Sequence, residues 1–449
     1  MSLSRSLAAL ACARNAQSLP AAIIAKARLH VADAVAITLA ATRDPMSSMV
    51  ARSAASGSCG GDCTVIGSRR KLPPALAALS NAALGHLLDF DDIHDVARLH
   101  PTTVTLPSAL AAADLVGARL DAVAKAVAIG NDLMCRLGVT FAPQGTGAGS
   151  DWFLTQLFGY FGSALSASLV LGASESEVAS ALGLAYMQAA GGKEAAFGVG
   201  STARAIYPGF AAMGGMQAAL LAHAGIAGPE SAFDGEAGLF RIYLGGNPSL
   251  AARGRLLDAS DWPFLDTAIK LWPSCRLSHP YVAAALAVRE RMRNHAVRRA
   301  VVAVNASAAK LCRPLEQRRN PITVQDAKYS IPFMVAFALV HGKVNLATLN
   351  SLALHDTAVL DLAARIEIDE RLPDNPGHPP AEVCVETTTA RYESPRPIAI
   401  TVSHQAQETK FVDCLNYAGW GAQSTMLRQR LIDSNESLSF LLAECRVNR

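Results

Sequence analysis

His86, Asp89, Asp91, Asp92, His94, Asp95 and His100 fall in one short stretch, His86-Leu-Leu-Asp-Phe-Asp-Asp-Ile-His-Asp95 continued to Leu99-His100-Pro101. Carboxylates and imidazoles crowded this closely cost free energy if buried without mutual pairing or a ligand. The same crowding drives their pKa values apart, which proton-transfer chemistry needs. Pro101 restricts the backbone at the residue before it, so His100 is the strongest candidate for a fixed acid or base. Plainer roles compete. Asp89 at a helix end can serve backbone amides, and His86 inside an Ala/Leu helix can be a core histidine. His94 and Asp95 read as a solvated loop.

A second cluster runs from Gly191-Gly192-Lys193 through Gly198-Val-Gly-Ser-Thr-Ala-Arg204 to Pro208-Gly209. Its glycines allow backbone amides to approach an anion, and the forked donors of Arg204 suit a carboxylate. No Gly-Lys-Ser/Thr follows and no strand precedes it, so it is neither a phosphate-binding P-loop nor a dinucleotide fingerprint. The plain alternative is a turn-rich connection carrying an exposed arginine. The third cluster is Lys270-Leu-Trp-Pro-Ser-Cys-Arg-Leu-Ser-His279. A buried lysine needs an anionic partner, which makes Lys270 a candidate for a substrate carboxylate. Cys275 and His279 stand four apart like half a zinc site, yet no second Cys/His pair of suitable spacing accompanies them. The expectation is therefore no metal.

The elements that must position these groups are mostly helical. Hydrophobic residues make up 51% of the 449 positions but aromatics only 6%, so the apolar excess is aliphatic and suits closely packed helices. Helical patterns occur at Pro74–Leu88, Leu106–Leu115, Ala122–Gly138, Gly159–Leu171 and Ala211–Ala224, and Ser174 with Glu177 has the spacing of a capping box. Short β-branched runs appear only later, at Val301–Asn305, Ala364–Ile368, Val383–Thr389 and Ile398–Val402. Between them Arg276–Arg293 and Asp326–Val340 read as helices, the second kinked at Pro332, and Thr425–Cys445 is helical again. The inferred fold is mainly α: a discontinuous all-α helical domain over 1–268 and 403–449, with an inserted smaller α+β domain over 269–402.

A formal charge of +3 is too small and dispersed for a nucleic-acid partner. No apolar run reaches the roughly 18 residues of a membrane span, and Leu19-Pro20 followed by a 3.6-residue apolar rhythm reads as an ordinary helix rather than a transit peptide. Nine scattered cysteines in so long a chain read as reduced thiols in the cytoplasm.

Taken together, the three clusters resemble the MmgE/PrpD family of 2-methylcitrate dehydratases, cis-aconitate decarboxylases and iminodisuccinate epimerases. The likeness extends from the Lys26–Asp33 helix through His86-Leu-Leu-Asp-Phe-Asp-Asp92 with His100-Pro101, Ser201–Arg204 with Gly209, Ala211–Gly228, Phe233–Leu239 and Lys270–His279 to Asp326–Ser330 and Gly342. The resemblance implies a homodimer of helical cores with an α+β lid, no metal or cofactor, and a pocket between core and lid for small di- or tricarboxylates. It implies His100 and Asp89 as catalytic residues, with Arg204 and Lys270 holding substrate carboxylates. Removing a proton beside a carboxylate builds charge that such cations stabilise. Ile93, Cys275, His279, Phe153 and Phe333 are the other expected substrate contacts. Against the decarboxylase branch the chain has Ile93 for a threonine, Cys275 for a histidine, Arg204 for a lysine and Phe333 for a tyrosine. It also lacks that branch's histidine near Phe153. Dehydration of a 2-methylcitrate-like substrate is therefore the leading expectation, with decarboxylation or epimerisation of a related polycarboxylate as the alternative. Trp152, Phe153 and Phe333 favour a substrate bearing an apolar substituent.

Two readings from other classes compete. Asp91-Asp92-Ile93-His94-Asp95 fits the DDxxD pattern of magnesium-diphosphate enzymes, although Asn131-Asp132 lacks the downstream residues of their second motif. A helical dimer that binds a carboxylate without turning it over is the other, since fold alone does not imply function.

Overall fold

The computed structural model describes residues 2–58, 60–141, 151–196, 202–292, 296–374, 380–396, 400 and 402–446. The chain divides into two compact units, Met1–Ile269 with Thr409–Arg449, and Lys270–Glu408.

In the first unit the site is carried by α1 (Ala21–Ala41), α2 (Pro74–Leu87), β1 (Ile93–His94), α3 (Thr102–Val116), α4 (Leu120–Thr140), α5 (Leu154–Val170), α6 (Pro208–His223) and β2 (Thr267–Ala268). Pro74 and Pro208 sit in the first turns of α2 and α6, where a missing N–H costs nothing. Helix α5 is buried at every position except Gln156, and α3, α4 and α6 pack around it. Glycine lets α4 and α5 close up: a Cβ on Gly130 would lie 2.0 Å from Ser166 Oγ and 3.0 Å from the Gly162 carbonyl oxygen. Helix α3 begins at Thr102, four residues earlier than the apolar pattern indicated, because Pro101 starts it; Gly117 at φ 70° ends it in the left-handed region.

This unit is not purely helical as expected. Ile93–His94 pairs antiparallel with Thr267–Ala268, and Cys63–Thr64 with Lys71–Leu72. Two-residue strands are too short to leave an alternating pattern in sequence.

The second unit contains α7 (His279–Met292), β3 (Val297–Val304), α8 (Ile331–His341), β4 (Ile366–Glu370), β5 (Glu382–Thr387) and β6 (Arg391–Glu393). The sheet order is β4-β3-β5-β6, with β4 parallel to β3 and the other pairs antiparallel. In β5 every second side chain is buried, which sets its register against β3. Asp326–Val340 is two helices rather than one kinked one: Val324–Lys328 ends, Ser330 caps the next, and Pro332 occupies the first turn of α8. The expected strand at Ile398–Val402 lies largely outside the described residues.

The chain then returns through α9 (His404–Ala418) and α10 (Ser424–Asp433). The expected Thr425–Cys445 helix breaks at Ser434, whose backbone is extended. Among the described residues the cysteines are free thiols, and no helix is long and apolar enough to cross a membrane.

Candidate active site

The chemistry-bearing loop joins α2 to α3. Asp89 turns the chain out of α2 with φ 52°, a left-handed conformation that aspartate tolerates better than most residues, and its N–H donates to the His86 carbonyl at 2.8 Å. Further along, His94 N–H donates to the Leu99 carbonyl at 2.9 Å and Arg98 N–H to the His94 carbonyl at 2.8 Å. The resulting knot delivers His100 to the start of α3. His94 is not on a solvated loop; it is 1% exposed, and Ala97 N–H donates to its Nδ1 at 3.1 Å. Burial lowers the His94 pKa and keeps the ring neutral.

His100 donates from Nδ1 to the main-chain carbonyl of Asp92 at 2.6 Å, while its own N–H bonds Thr155 Oγ1 at 2.9 Å. A carbonyl oxygen only accepts, so a proton sits on Nδ1, and in the neutral form of the ring the lone pair is on Nε2. The Asp91 carboxylate lies 3.5 Å from the same Nδ1 and also accepts from His86 Nδ1 at 2.8 Å. Asp91 and His86 are buried, as the sequence left open for His86, and an anion so placed stabilises an imidazolium as it forms.

Two buried contacts pin the loop. The Asp92 carboxylate accepts from His30 Nδ1 at 2.7 Å and from Thr102 Oγ1, and Asn131 Nδ2 donates to that hydroxyl at 2.8 Å. One residue before Asp91, the Phe90 carbonyl accepts from Lys410 Nζ at 2.8 Å, and the same ammonium is paired with Asp33. His30 and Asp33 are three apart on α1 and so share a face. Burial raises the Asp33 pKa, and Lys410 opposes that rise.

Tyr207 gathers the rest. Its ring stacks on Phe153 at 4.3 Å and meets His86 edge-on at 4.9 Å, while His86 in turn meets His100 at 5.1 Å. Burial raises the phenol's pKa; a hydrogen bond with Thr155 and the Arg204 charge work the other way, and Asp91 and Asp89 reinforce the rise. Asp89 and Arg204 therefore both act electrostatically on Tyr207. Asp89 is buried, Arg204 half-buried on a short 3₁₀ turn at Ala203–Ala205, and Ile93 buried in the β1–β2 pair. The glycine-rich Gly198–Ser201 segment lies outside the described residues.

The other expected contacts belong to the second unit. Lys270 and His279 are fully buried there, and Cys275 is half-buried with its N–H on the Lys328 carbonyl at 3.0 Å. Arg276 Nη1 faces His279 Nδ1 at 3.3 Å, so that nitrogen accepts and the proton sits on Nε2. Phe333 is fully buried in this unit's core, stacked on Phe337 at 6.2 Å.

Among the described residues, His86, Asp91 and His100 are the group whose ligand atoms, within 4.8 Å of one another, come nearest to a metal site. Both Nδ1 atoms are engaged in hydrogen bonds, which leaves Nε2 as the nitrogen through which either ring would meet a ligand. The Asp92 carboxylate is taken up by His30 and Thr102, and Asp132 by Arg14 and Arg136.

Comparison with known proteins gives the family. The MmgE/PrpD N-terminal domain matches residues 5–251 and the MmgE/PrpD C-terminal domain residues 272–406. The chain belongs to the MmgE/PrpD family. It is 26% identical over 373 residues to the cis-aconitate decarboxylase of Aspergillus terreus, covering 78% of this chain and 74% of that one. It is 28% identical over 389 residues to the cis-aconitate decarboxylase-like protein oryM of Aspergillus oryzae, with 80% and 78% covered. The human cis-aconitate decarboxylase is 28% identical over 318 residues, with 68% and 63% covered. For a MmgE/PrpD chain, the residues that sequence reasoning missed are Asp91 as the partner of His100, together with Tyr207, Thr155, His30, Asp33 and Lys410. A signal existed for His30 and Asp33, two polar residues one turn apart in the mostly apolar stretch from Leu29 to Ala41.

Proposed function

We propose that this MmgE/PrpD protein is a lyase acting on a small di- or tricarboxylate by proton transfer at a carbon beside a carboxylate. In the leading reading, His100 Nε2 removes that proton, the Asp91 carboxylate stabilises the imidazolium, and hydroxide leaves the adjacent carbon as water after protonation. Asp89 is the second acid/base group. Arg204 and Lys270 bind carboxylates of the substrate and offset the charge that grows as the C–H bond breaks. The carrying observation is the Nδ1–H bond of His100 to the Asp92 carbonyl, because it fixes the tautomer a general base requires.

Decarboxylation is a second reading, favoured by the names of the matched relatives. There the C–C bond breaks first, and protonated His100 delivers its Nε2 proton to the carbanion left when CO₂ departs. The two readings start from opposite protonation states of His100. The stack of Phe153 on Tyr207 supplies an aromatic wall that suits a substrate with an alkyl substituent.

The deciding experiment incubates the purified protein with 2-methylcitrate, citrate, cis-aconitate and iminodisuccinate in D₂O and follows proton NMR spectra. Loss of water marks dehydration, loss of CO₂ marks decarboxylation, and deuterium exchange alone marks epimerisation. No change with any of the four substrates, or undiminished turnover in His100→Gln, would end the proposal.

A further inference from the structure

We propose that Lys410 is a positioning residue of the active site: its buried ammonium, held by Asp33, fixes the Phe90 carbonyl and with it the flanking carboxylates of Asp89 and Asp91. The proposal rests on the reading of His100 and Asp91 as the proton-transfer pair. Lys410 is 5% exposed, and its Nζ lies 2.8 Å from one Asp33 oxygen, 2.9 Å from the other and 2.8 Å from the Phe90 carbonyl. The ammonium also stands 4.0 Å from the centre of the Phe90 ring. A lysine buried this deeply persists only when its charge is answered, and here Asp33 answers it.

What the pair grips is the informative part. Phe90 carries no chemistry, but the peptide groups on either side of it orient Asp89 and Asp91. Asp89 holds a left-handed backbone at φ 52°, a conformation that persists where surrounding structure enforces it. The next carbonyl along is the one Lys410 holds. Two residues further, the Asp92 carbonyl receives the Nδ1 proton of His100. A rotation of the Phe90 peptide therefore moves both candidate carboxylates and disturbs the bond that sets the His100 tautomer. Because Asp33 and His30 project from one face of α1, the same helix braces the loop at Phe90 and at Asp92.

The test uses the full chain. Lys410→Met keeps bulk and removes the donors, but it strands Asp33, so the double variant Asp33→Leu/Lys410→Met, with apolar groups replacing both charges, is made alongside. Arg14→Met removes another buried cation of the first unit, one bound to Asp132, and controls for lost stability alone. Two quantities are read: steady-state kinetics, and the Nδ1–H proton resonance of His100, assigned by its absence in His100→Gln. Both Lys410 variants are expected to lose about 10- to 100-fold in kcat with KM changed less than about threefold, as for a displaced catalytic group. The His100 resonance shifts or vanishes in both. Arg14→Met lowers Tm and leaves the resonance in place. A folded Lys410 variant with wild-type kcat and an unmoved resonance overturns the proposal. If wild type turns over no polycarboxylate, the reaction assignment fails, while the resonance still decides whether Lys410 positions His100.

Discussion

His100 and His94 are six residues apart on one loop and hold opposite tautomers, each dictated by what its Nδ1 meets. His100 donates to a carbonyl, whereas His94 accepts from an amide. His100→Gln is expected to lower kcat by about 10²- to 10⁴-fold, the usual contribution of a positioned acid or base, with Tm unchanged. Asp91→Asn keeps a hydrogen-bond acceptor for His86 but loses the anion, so kcat falls while KM holds, as steady-state kinetics will show. Asp89→Asn should retain Tm, because asparagine also accepts the left-handed backbone, and lose turnover; Asp89→Val should lose both. His94 contributes to the pH dependence of stability. Burial lowers its pKa below the unfolded value of 6.5, so the unfolded chain takes up a proton that the folded one refuses. Stability present above about pH 6.5 drains away as pH falls toward the folded-state value. His94→Asn retains an acceptor for the Ala97 amide without the titration. Its Tm should therefore fall less than that of wild type between pH 7 and pH 5.

At the scale of elements, the site is one loop held between helices that approach closely through small residues. Gly130→Ala drives a methyl into Ser166 and the Gly162 carbonyl, and overpacking of this kind costs about 1–3 kcal/mol, measurable as a lower urea midpoint. That loop stands out in sequence because its residue types are so out of place after an Ala/Leu helix. Helix positions were readable too, since Ala/Leu periodicity and first-turn prolines act locally; the capping box at Ser174 and Glu177 forms as its spacing implies. What stayed hidden depends on partners far along the chain. Nothing local marks His94 as buried, because its strand partner is Thr267. Lys410 lies on a helix of low overall hydropathy and shows its role only beside Asp33 and Phe90. Tyr207, at the head of α6, is drawn into the site by Phe153 and His86, again across long sequence separations.

The first unit is assembled from two stretches of chain that the second unit separates in sequence. Its closing segment is not peripheral. Phe411, Cys414, Leu415, Leu427 and Leu431 are buried, and the carbonyls of residues 431, 432 and 434 accept from the Arg28 guanidinium on α1. A chain ending at Glu408 loses these buried apolar side chains, at about 1.5–3 kcal/mol each, together with the partners of Arg28 Nη1 and Asp33. Against the roughly 5–15 kcal/mol that keeps a typical domain folded, that loss is decisive. The first unit of the truncated chain is therefore expected to lose its cooperative thermal transition and its share of the near-UV circular dichroism, while the second unit, Lys270–Glu408, is left whole.

The late arrival of Lys410 also has a consequence for biosynthesis. The Asp89–His100 loop leaves the ribosome about three hundred residues before the lysine that braces it, and domains fold as their parts become available during synthesis. Until α9 emerges, the Phe90 carbonyl and Asp33 must be satisfied by water or a chaperone. Under the proposed reaction, competence therefore waits for α9, and a product terminated before Lys410 carries the candidate acids and bases without the brace that positions them.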